Sequence, residues 1–313
     1  MATSVTPSSE ANFAIRALVQ DRLTAELVKD FEAAGIPAIV LKGPAIATWL
    51  YRERGVRTYG DSDLLVPPDR WDFAMETLES LGFEDDLGTL GHPRMESLTS
   101  HPWKRPGHNV DLHCTLWGID CSPERAWEVL SSHTTTMSVG GETVSVLAPA
   151  ARAMHIALHA AQHGYDDGKP IADLELALEL LPEELWREAA AVAAEVDAVP
   201  GFATGLRLLP EGRDLTERLG VGDEASVDAL LRVAHVPLAH GFEELATTKG
   251  LRAKLSILWN ELVPTAEFMR WWSPLARHGR IGLAASYLWR PVYLALRAVP
   301  GLLAWRRARR LAQ

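Results

Sequence analysis

Cysteine is scarce. Cys114 and Cys121 are the only two among 313 residues, too few and too close together for a disulfide scaffold, so a reducing cytoplasm is the expected setting. No stretch reaches the roughly 18 uninterrupted apolar residues that a membrane span needs. The best approach to one, near the carboxyl end, is broken by Arg290 and Arg297. Met1 to Glu10 is small and polar, with no basic region leading into an apolar one, and no secretory signal is expected there. Internal repeats and low-complexity tracts are missing too. From Phe268 onward there is no acidic residue, whereas Arg270, Arg277, Arg280, Arg290, Arg297, Arg306, Arg307, Arg309 and Arg310 all fall in that stretch. What remains is a chain with 47% hydrophobic content, long enough for one large domain or two ordinary ones around a real core. The net charge of -10 disfavours indiscriminate nucleic-acid binding by the whole surface. The segregated arginines point instead to a local anion-facing surface.

Phe13, Ala17, Leu23, Leu27 and Phe31 recur at helical spacing and predict an opening amphipathic helix that stops at Gly35. Ala38-Ile39-Val40-Leu41 has the length and β-branched content of a buried strand, ended by Lys42-Gly43-Pro44, with Pro44 suited to the first turn of a helix that Gly55 breaks. Arg57 to Val66 predicts a second strand with acidic residues in its middle and Pro67-Pro68 at its end. A helix is expected from Asp69 to Leu81, and loop or irregular strand from Gly88 to Gly107. Val110, Leu112, Cys114 and Leu116 alternate with Asp111, His113 and Thr115, the period of a strand with one apolar face. Val139 to Thr143 resembles a hairpin turn. Beyond Pro149 alanine and leucine dominate and helical periods recur, which sets a boundary near Leu147 between an α/β unit over 1–147 and a helical unit over 148–313.

Asp61 and Asp63 are two apart on the second strand, so their side chains leave one face about 6 to 7 Å apart at the backbone. Like charges buried that close need neutralising, and a divalent cation is the usual means. Magnesium favours a few carboxylates together with phosphates and water, and Asp111 on another strand could be the third ligand. Alone, Asp-x-Asp reads equally as a solvated strand face. The strand, turn and helix start around Lys42-Gly43 add a possible phosphate loop to the metal platform.

The run Val40-Leu41-Lys42-Gly43, then Tyr51, then Arg57-Thr58-Tyr59-Gly60-Asp61-Ser62-Asp63-Leu64-Leu65-Val66, followed by Val110-Asp111-Leu112-His113, resembles a largely uncharacterised bacterial nucleotidyltransferase family of the DNA polymerase β-like superfamily. The resemblance continues through His155-Ile156-Ala157-Leu158-His159, His163-Gly164 and Ile171-Ala172-Asp173-Leu174, covering about Ala33 to Leu180. It implies an α/β (α+β) core, a short mixed sheet flanked by helices, followed by a mainly helical C-terminal domain. It also implies transfer of a nucleoside monophosphate from a nucleoside triphosphate, with release of pyrophosphate. Asp61, Asp63 and Asp111 would be the catalytic, metal-binding residues, for magnesium or manganese, with Asp111 holding a second ion or acting as base. The wider superfamily commonly has Gly-Ser at its phosphate loop; here Pro44 follows Gly43 and offers neither hydroxyl nor amide hydrogen, so phosphate contacts must come from Lys42, Arg57 or elsewhere.

Several neighbours carry two readings. Lys42 either faces an anion or snorkels to water. Arg57 either contacts triphosphate or neutralises aspartates. His113, on the face of Asp111, orients a carboxylate, contacts phosphate or is structural. His155, His159 and His163 share one helix face with Asp166 and Asp167 just beyond, but span about 12 Å, too far for one zinc ion to take all three. His159, His163 and Asp173 are expected in the nucleotide pocket. Cys114 is expected as an inert core residue. Trp271, Trp272, Trp289 and Trp305, interleaved with arginines, are expected to pack, with RNA stacking or a membrane surface as alternatives. The acceptor (protein, peptide, small molecule or RNA) is left open. A non-catalytic nucleotide- or protein-binding module, and a metal-dependent hydrolase built on the histidines, are the competing readings.

Overall fold

A computed structural model describes residues 9–86, 100–165, 167–221, 227, 230, 231 and 236–312. Helix α1 (Ser9–Ala33) leads into β1 (Ile39–Val40), α2 (Pro44–Leu50), β2 (Asp61–Leu65), α3 (Trp71–Ser80) and β3 (Glu84–Asp85). There follow β4 (Ser100–Arg105), β5 (His108–His113), α4 (Pro123–Ser132), β6 (Thr134–Val139) and β7 (Glu142–Leu147). The remaining described elements are helical: α5 (Pro149–His163), α6 (Gly168–Leu180), α7 (Glu183–Glu195), α8 (Val199–Leu206), α9 (Pro210–Leu219), α10 (Ala239–Thr247), α11 (Leu251–Leu262), α12 (Ala266–Trp272) and α13 (Gly279–Leu311).

The strands form one mixed sheet in the order β3-β4-β5-β2-β1-β7-β6. β2 runs parallel to β5 and β1 parallel to β7; the other neighbours are antiparallel. This is the expected fold class, a mixed sheet flanked by helices with a helical C-terminal region. Because successive strand residues face opposite ways, the sheet separates two cores. Val40, Leu64, Val110, Leu112 and Val146 pack with Leu27, Phe31, Ala74 and Leu78 of α1 and α3. Ile39, Leu65 and Leu147 pack with Ile46, Leu130, Met154, Ile156, Leu174, Trp186 and Phe202 on the other face. Asp61, Asp63 and Asp111 therefore face α5, whereas Ser62 faces α1.

Some boundaries differ from the sequence reading. β2 begins at Asp61, not Arg57, so its carboxylates stand at the start of the strand rather than its middle. Its ladder to β5 starts at the pair Asp61 and Asn109, which leaves Arg57 to Gly60 as an unpaired approach. In the Gly88 to Gly107 region, 88–99 lies outside the described residues, and Ser100–Arg105 is a regular strand hairpinned onto β5. Cys114 follows the end of β5 and is half-buried. Helix α4, which the periodicity reading leaves unassigned, starts with Ser122 accepting from the Arg125 amide and Pro123 in the first turn. Trp272 stacks edge-on to Tyr293 and Trp305 donates to Glu243, as packing expects. Trp271 leans on Phe268, with ring centroids 5.6 Å apart, yet it and Trp289 are more than half exposed.

α5 is buried on nearly every side, and α8 approaches it without room for a side chain. A Cβ on Gly205 would stand 1.9 Å from the Ala157 carbonyl oxygen. Gly205→Ala should cost about 3 kcal/mol, at the upper end for overpacking, whereas Gly168→Ala, which meets nothing within 4 Å, should be neutral. Urea unfolding of both variants checks this, and equal stability of the two would show that the helices part freely.

Candidate active site

β2 and β5 lie side by side in parallel with Asp63 opposite Asp111, and Asp61 one pleat earlier on the same face. The three carboxylates line a cleft of about 150 Å³ together with Lys42, Gly43 and Tyr59. His159 and His163 of α5, and Asp167 and Lys169 at the start of α6, line it from the helical side. A larger cleft of about 550 Å³ adjoins it, sharing Tyr59 and Lys169 and bounded by Phe13, Arg16 and Val19 of α1 and by Gly107.

Lys42 reaches this site because the Leu41 amide bonds the Asp63 carbonyl at 3.0 Å, extending β1 by one residue beside β2. Its ammonium lies 2.7 Å from Asp63 Oδ1, and the side chain is largely buried. It does not snorkel. Burial opposes the ammonium, but Asp63 overrides that effect and raises the lysine pKa. Burial likewise opposes the Asp63 carboxylate, yet the charge of Lys42 and the ring of His113, with Nε2 at 3.4 Å from Oδ1, hold it well below the usual range. Among the described residues Asp111 makes no ion pair of this kind: burial, then the neighbouring Asp63 charge, push its carboxyl up against the weaker opposing pull of His113 and Lys42.

Gly43 takes a φ of 58°, and the Tyr59 ring lies against it, so a Cβ there would meet Tyr59 Cδ2 at 3.2 Å. The start of α2 offers a phosphate little. Pro44 has no amide hydrogen, and the Ala45 and Ala47 amides already bond the carbonyls of Lys42 and Gly43. Lys169, which the sequence reading did not single out, is exposed and also lines the cleft. Its local signal was the polar break Asp167-Gly168-Lys169-Pro170 following the histidine row.

Arg57 lines the cleft but is committed elsewhere. Its guanidinium is forked onto Asp173, Nε to Oδ1 at 2.8 Å and Nη2 to Oδ2 at 2.7 Å, both side chains buried. Tyr51 donates to the same carboxylate at 2.8 Å. Asp173 thus lies beneath the site, clamping the approach to β2 against α6, and is not among the residues lining the cleft.

His155 and His159 are buried, with ring centroids 6.1 Å apart; His159 and His163 are 4.7 Å apart. Burial, then the Lys42 charge, lower the His155 pKa to about 3 and that of His159 well below its ordinary value, so both rings are neutral. Asp166 lies outside the described residues. Among the described residues no set of three or more His, Cys, Asp or Glu is gathered to hold a metal ion, at the histidine row or at the carboxylates as they stand. The carboxylate donor set nevertheless fits a hard divalent cation: oxygen ligands on two adjacent strands, one cleft, and unbalanced negative charge at Asp111.

Behind β2, Ser62 Oγ lies 2.9 Å from His108 Nε2, 2.6 Å from Thr24 Oγ1 and accepts from Gln20 at 3.0 Å. Burial, then Arg105, lower the His108 pKa to about 4. The folded values of His108 and His155 lie below the ordinary 6.5, so the unfolded chain binds protons first as pH falls. Their contribution is complete above about pH 6.5 and is lost progressively towards pH 4. Melting temperature should fall across this window, and less steeply in His108→Gln. Removing one partner of the buried clamp, by Asp173→Ala, should cost about 3 to 5 kcal/mol in urea unfolding; a loss under about 1 kcal/mol, the range of an exposed pair, would show that Arg57 is not held there.

No curated protein matches the sequence. Two structures of the antibiotic-resistance factor ANT(2'')-Ia are similar to the chain. The solution structure is 19% identical over 59% of this chain and 95% of that one, with a TM-score of 0.41. The crystal structure with adenylyl-2''-tobramycin is 20% identical over 56% and 98%, with a TM-score of 0.41. An antigenic nucleotidyltransferase-like protein from Paracoccidioides brasiliensis is 18% identical over 57% and 92%, with a TM-score of 0.36. Likeness this distant bears on neither acceptor nor mechanism. The family model described as "Uncharacterised nucleotidyltransferase" matches residues 7–211, a span that holds every residue of the cleft, and the chain belongs to that nucleotidyltransferase family.

Proposed function

We propose that the protein transfers a nucleoside monophosphate from a nucleoside triphosphate to an acceptor, using magnesium or manganese held by Asp61, Asp63 and Asp111. The observation that supports it most is the register that sets Asp63 beside Asp111 in one cleft with Lys42. A cation held there by these carboxylates would supply charge to neutralise the triphosphate and Lewis acidity at the bond that breaks. Lys42 and Lys169 take phosphate oxygens, supplying what the start of α2 does not. At about 150 Å³ the smaller cleft suits phosphates alone, and the nucleoside and acceptor extend into the larger cleft beyond Tyr59. An acceptor hydroxyl attacks the α-phosphorus; its oxygen bonds to phosphorus, the link to the β-phosphate breaks, and pyrophosphate leaves with that electron pair. Asp111, whose carboxyl is pushed up in pKa, is the residue we assign to take the hydroxyl proton.

On this reading 1–147 carries most of the chemistry and the helices from Pro149 onward cover it, with His159 as a neutral part of the wall that does not compete with the lysines for phosphate. The acceptor class (protein, peptide, small molecule or RNA) stays open. A non-catalytic module is the second reading, favoured by one observation: Lys42 already neutralises Asp63.

Incubation with each labelled triphosphate, magnesium and host extract should label an acceptor, and Asp61→Asn, Asp63→Asn or Asp111→Asn should reduce labelling by at least about a hundredfold. Magnesium with the preferred triphosphate should raise the melting temperature of the wild type, and Asp63→Asn should abolish that rise. Label incorporated equally by wild type and Asp61→Asn would end the catalytic assignment; a thermal shift without transfer would favour the binding module.

A further inference from the structure

Helix α13 is built inside out. Its buried positions are Gly282, Ser286, Arg290, Gly301 and Ala308, small or polar, while many of its large apolar side chains face solvent. Ile281 is 87% exposed, Leu288 79%, and Leu296 and Val299 64% each. At about 100° per residue these four, with Val292 and Leu303, fall in one stripe roughly 80° wide and about 33 Å long. Helix α11, two elements earlier, has a similar exposed stripe, with Leu251 74% exposed, Trp259 63%, and Leu255 and Leu262 exposed on the same face. Both helices border a groove of about 360 Å³ lined by Phe242, Leu245, Ile257, Leu258, Leu294 and Ala295. Among the described residues nothing covers either stripe. Apolar area this continuous is left bare when another apolar phase covers it.

The charges identify that phase. No acidic residue follows Glu267. Arg280, Arg297, Arg306, Arg307 and Arg310 are exposed, and no carboxylate among the described residues lies within ion-pair distance of them. By the same helical count, Arg306 and Arg310 continue the axis of the stripe. A second copy meeting stripe against stripe along α13, parallel or antiparallel, would offer these guanidiniums no carboxylate from its own α13, which has none. A phosphate-bearing lipid surface satisfies both features, since acyl chains take up leucine, isoleucine and tryptophan while headgroup phosphates take up arginine. Among the described residues no helix is long and apolar enough to cross a membrane, so these helices would lie along the surface. We propose that α11 and α13 form an interfacial anchor that lays this protein on an anionic phospholipid bilayer.

The test is co-sedimentation of the full chain with vesicles of equimolar phosphatidylglycerol and phosphatidylcholine, against pure phosphatidylcholine. Binding should be at least about tenfold tighter to the anionic vesicles and weaken with salt. Each arginine near an anionic surface strengthens binding roughly fivefold, so R306E/R307E/R310E should weaken it by about a hundredfold or more. Leu288→Glu combined with Leu296→Glu alters only exposed positions, should keep the wild-type circular dichroism, and should abolish sedimentation. No preference for anionic vesicles, or sedimentation unchanged in the leucine double variant, would overturn the proposal. So would sedimentation equilibrium showing a dimer that the double variant splits, with the wild type left in the vesicle supernatant: the stripe would then be a self-association surface. None of these outcomes depends on nucleotide transfer.

Discussion

The site depends on one ion pair. Asp63 is buried, and a carboxylate taken out of water costs several kcal/mol unless a partner replaces the lost hydration. Lys42 is that partner, at 2.7 Å. It is delivered by the backbone: the Leu41 amide bonds the Asp63 carbonyl, and the next residue in the chain turns its ammonium onto the side chain. The glycine that follows, in a left-handed conformation under the Tyr59 ring, lets the chain leave without blocking the cleft. One lysine cannot balance three carboxylates, and burial, then the neighbouring Asp63 charge, hold the Asp111 proton more tightly than usual. A cleft in this state favours an incoming cation on the carboxylate side and a polyanion on the lysine side, and a metal-bound triphosphate carries both.

Electrostatic tension of this kind would splay the strand if the strand could move. It is fixed from behind and from its leading end. Ser62, alternating to the far face, is held by Gln20, Thr24 and His108. The approach at Arg57 is forked to Asp173, more than a hundred residues away in the chain, with Tyr51 on the same carboxylate. Burial depresses His108 in the first of these and His155 on α5, so both stay neutral and add no charge to a crowded site. The carboxylates are thereby pre-positioned, which is what distinguishes a reactive constellation from three acids on a flexible surface.

Much of this was legible locally. The period of two at Asp61 and Asp63, and again at Val110 to His113, put all three acids on strand faces, and the Lys42-Gly43-Pro44 punctuation marked the strand end beside them. The limits follow from what is local. Arg57 to Gly60 has the composition of strand, but β5 offers a partner only from Asn109 onward, so those residues became cleft wall. The partner of Arg57 was settled by the packing of α6, which no window around residue 57 contains. Lys169 entered the cleft because the chain breaks between α5 and α6 directly above the carboxylates, a consequence of tertiary path rather than of spacing. The tryptophans near the carboxyl end read as anchors on composition, yet Trp271 and Trp289 stand in solvent. Composition cannot say which face of a helix meets the core.

The segregation of charge now has a physical consequence. With the arginines after Phe268 set aside, the rest of the chain is more acidic than its net charge of -10 suggests. An acidic body repels both a nucleoside triphosphate and an anionic surface. Local cations must reverse that field wherever such a partner is to bind. At the cleft, Lys42 does so over a few ångströms, in a largely buried setting where screening by salt is weak. On α13 the arginines are solvated and screened, so they act over about a Debye length and only in number. The two solutions differ because the partners differ: a triphosphate needs a small number of charges placed to within hydrogen-bond distance, whereas an extended anionic surface needs many charges of one sign with an apolar face beside them.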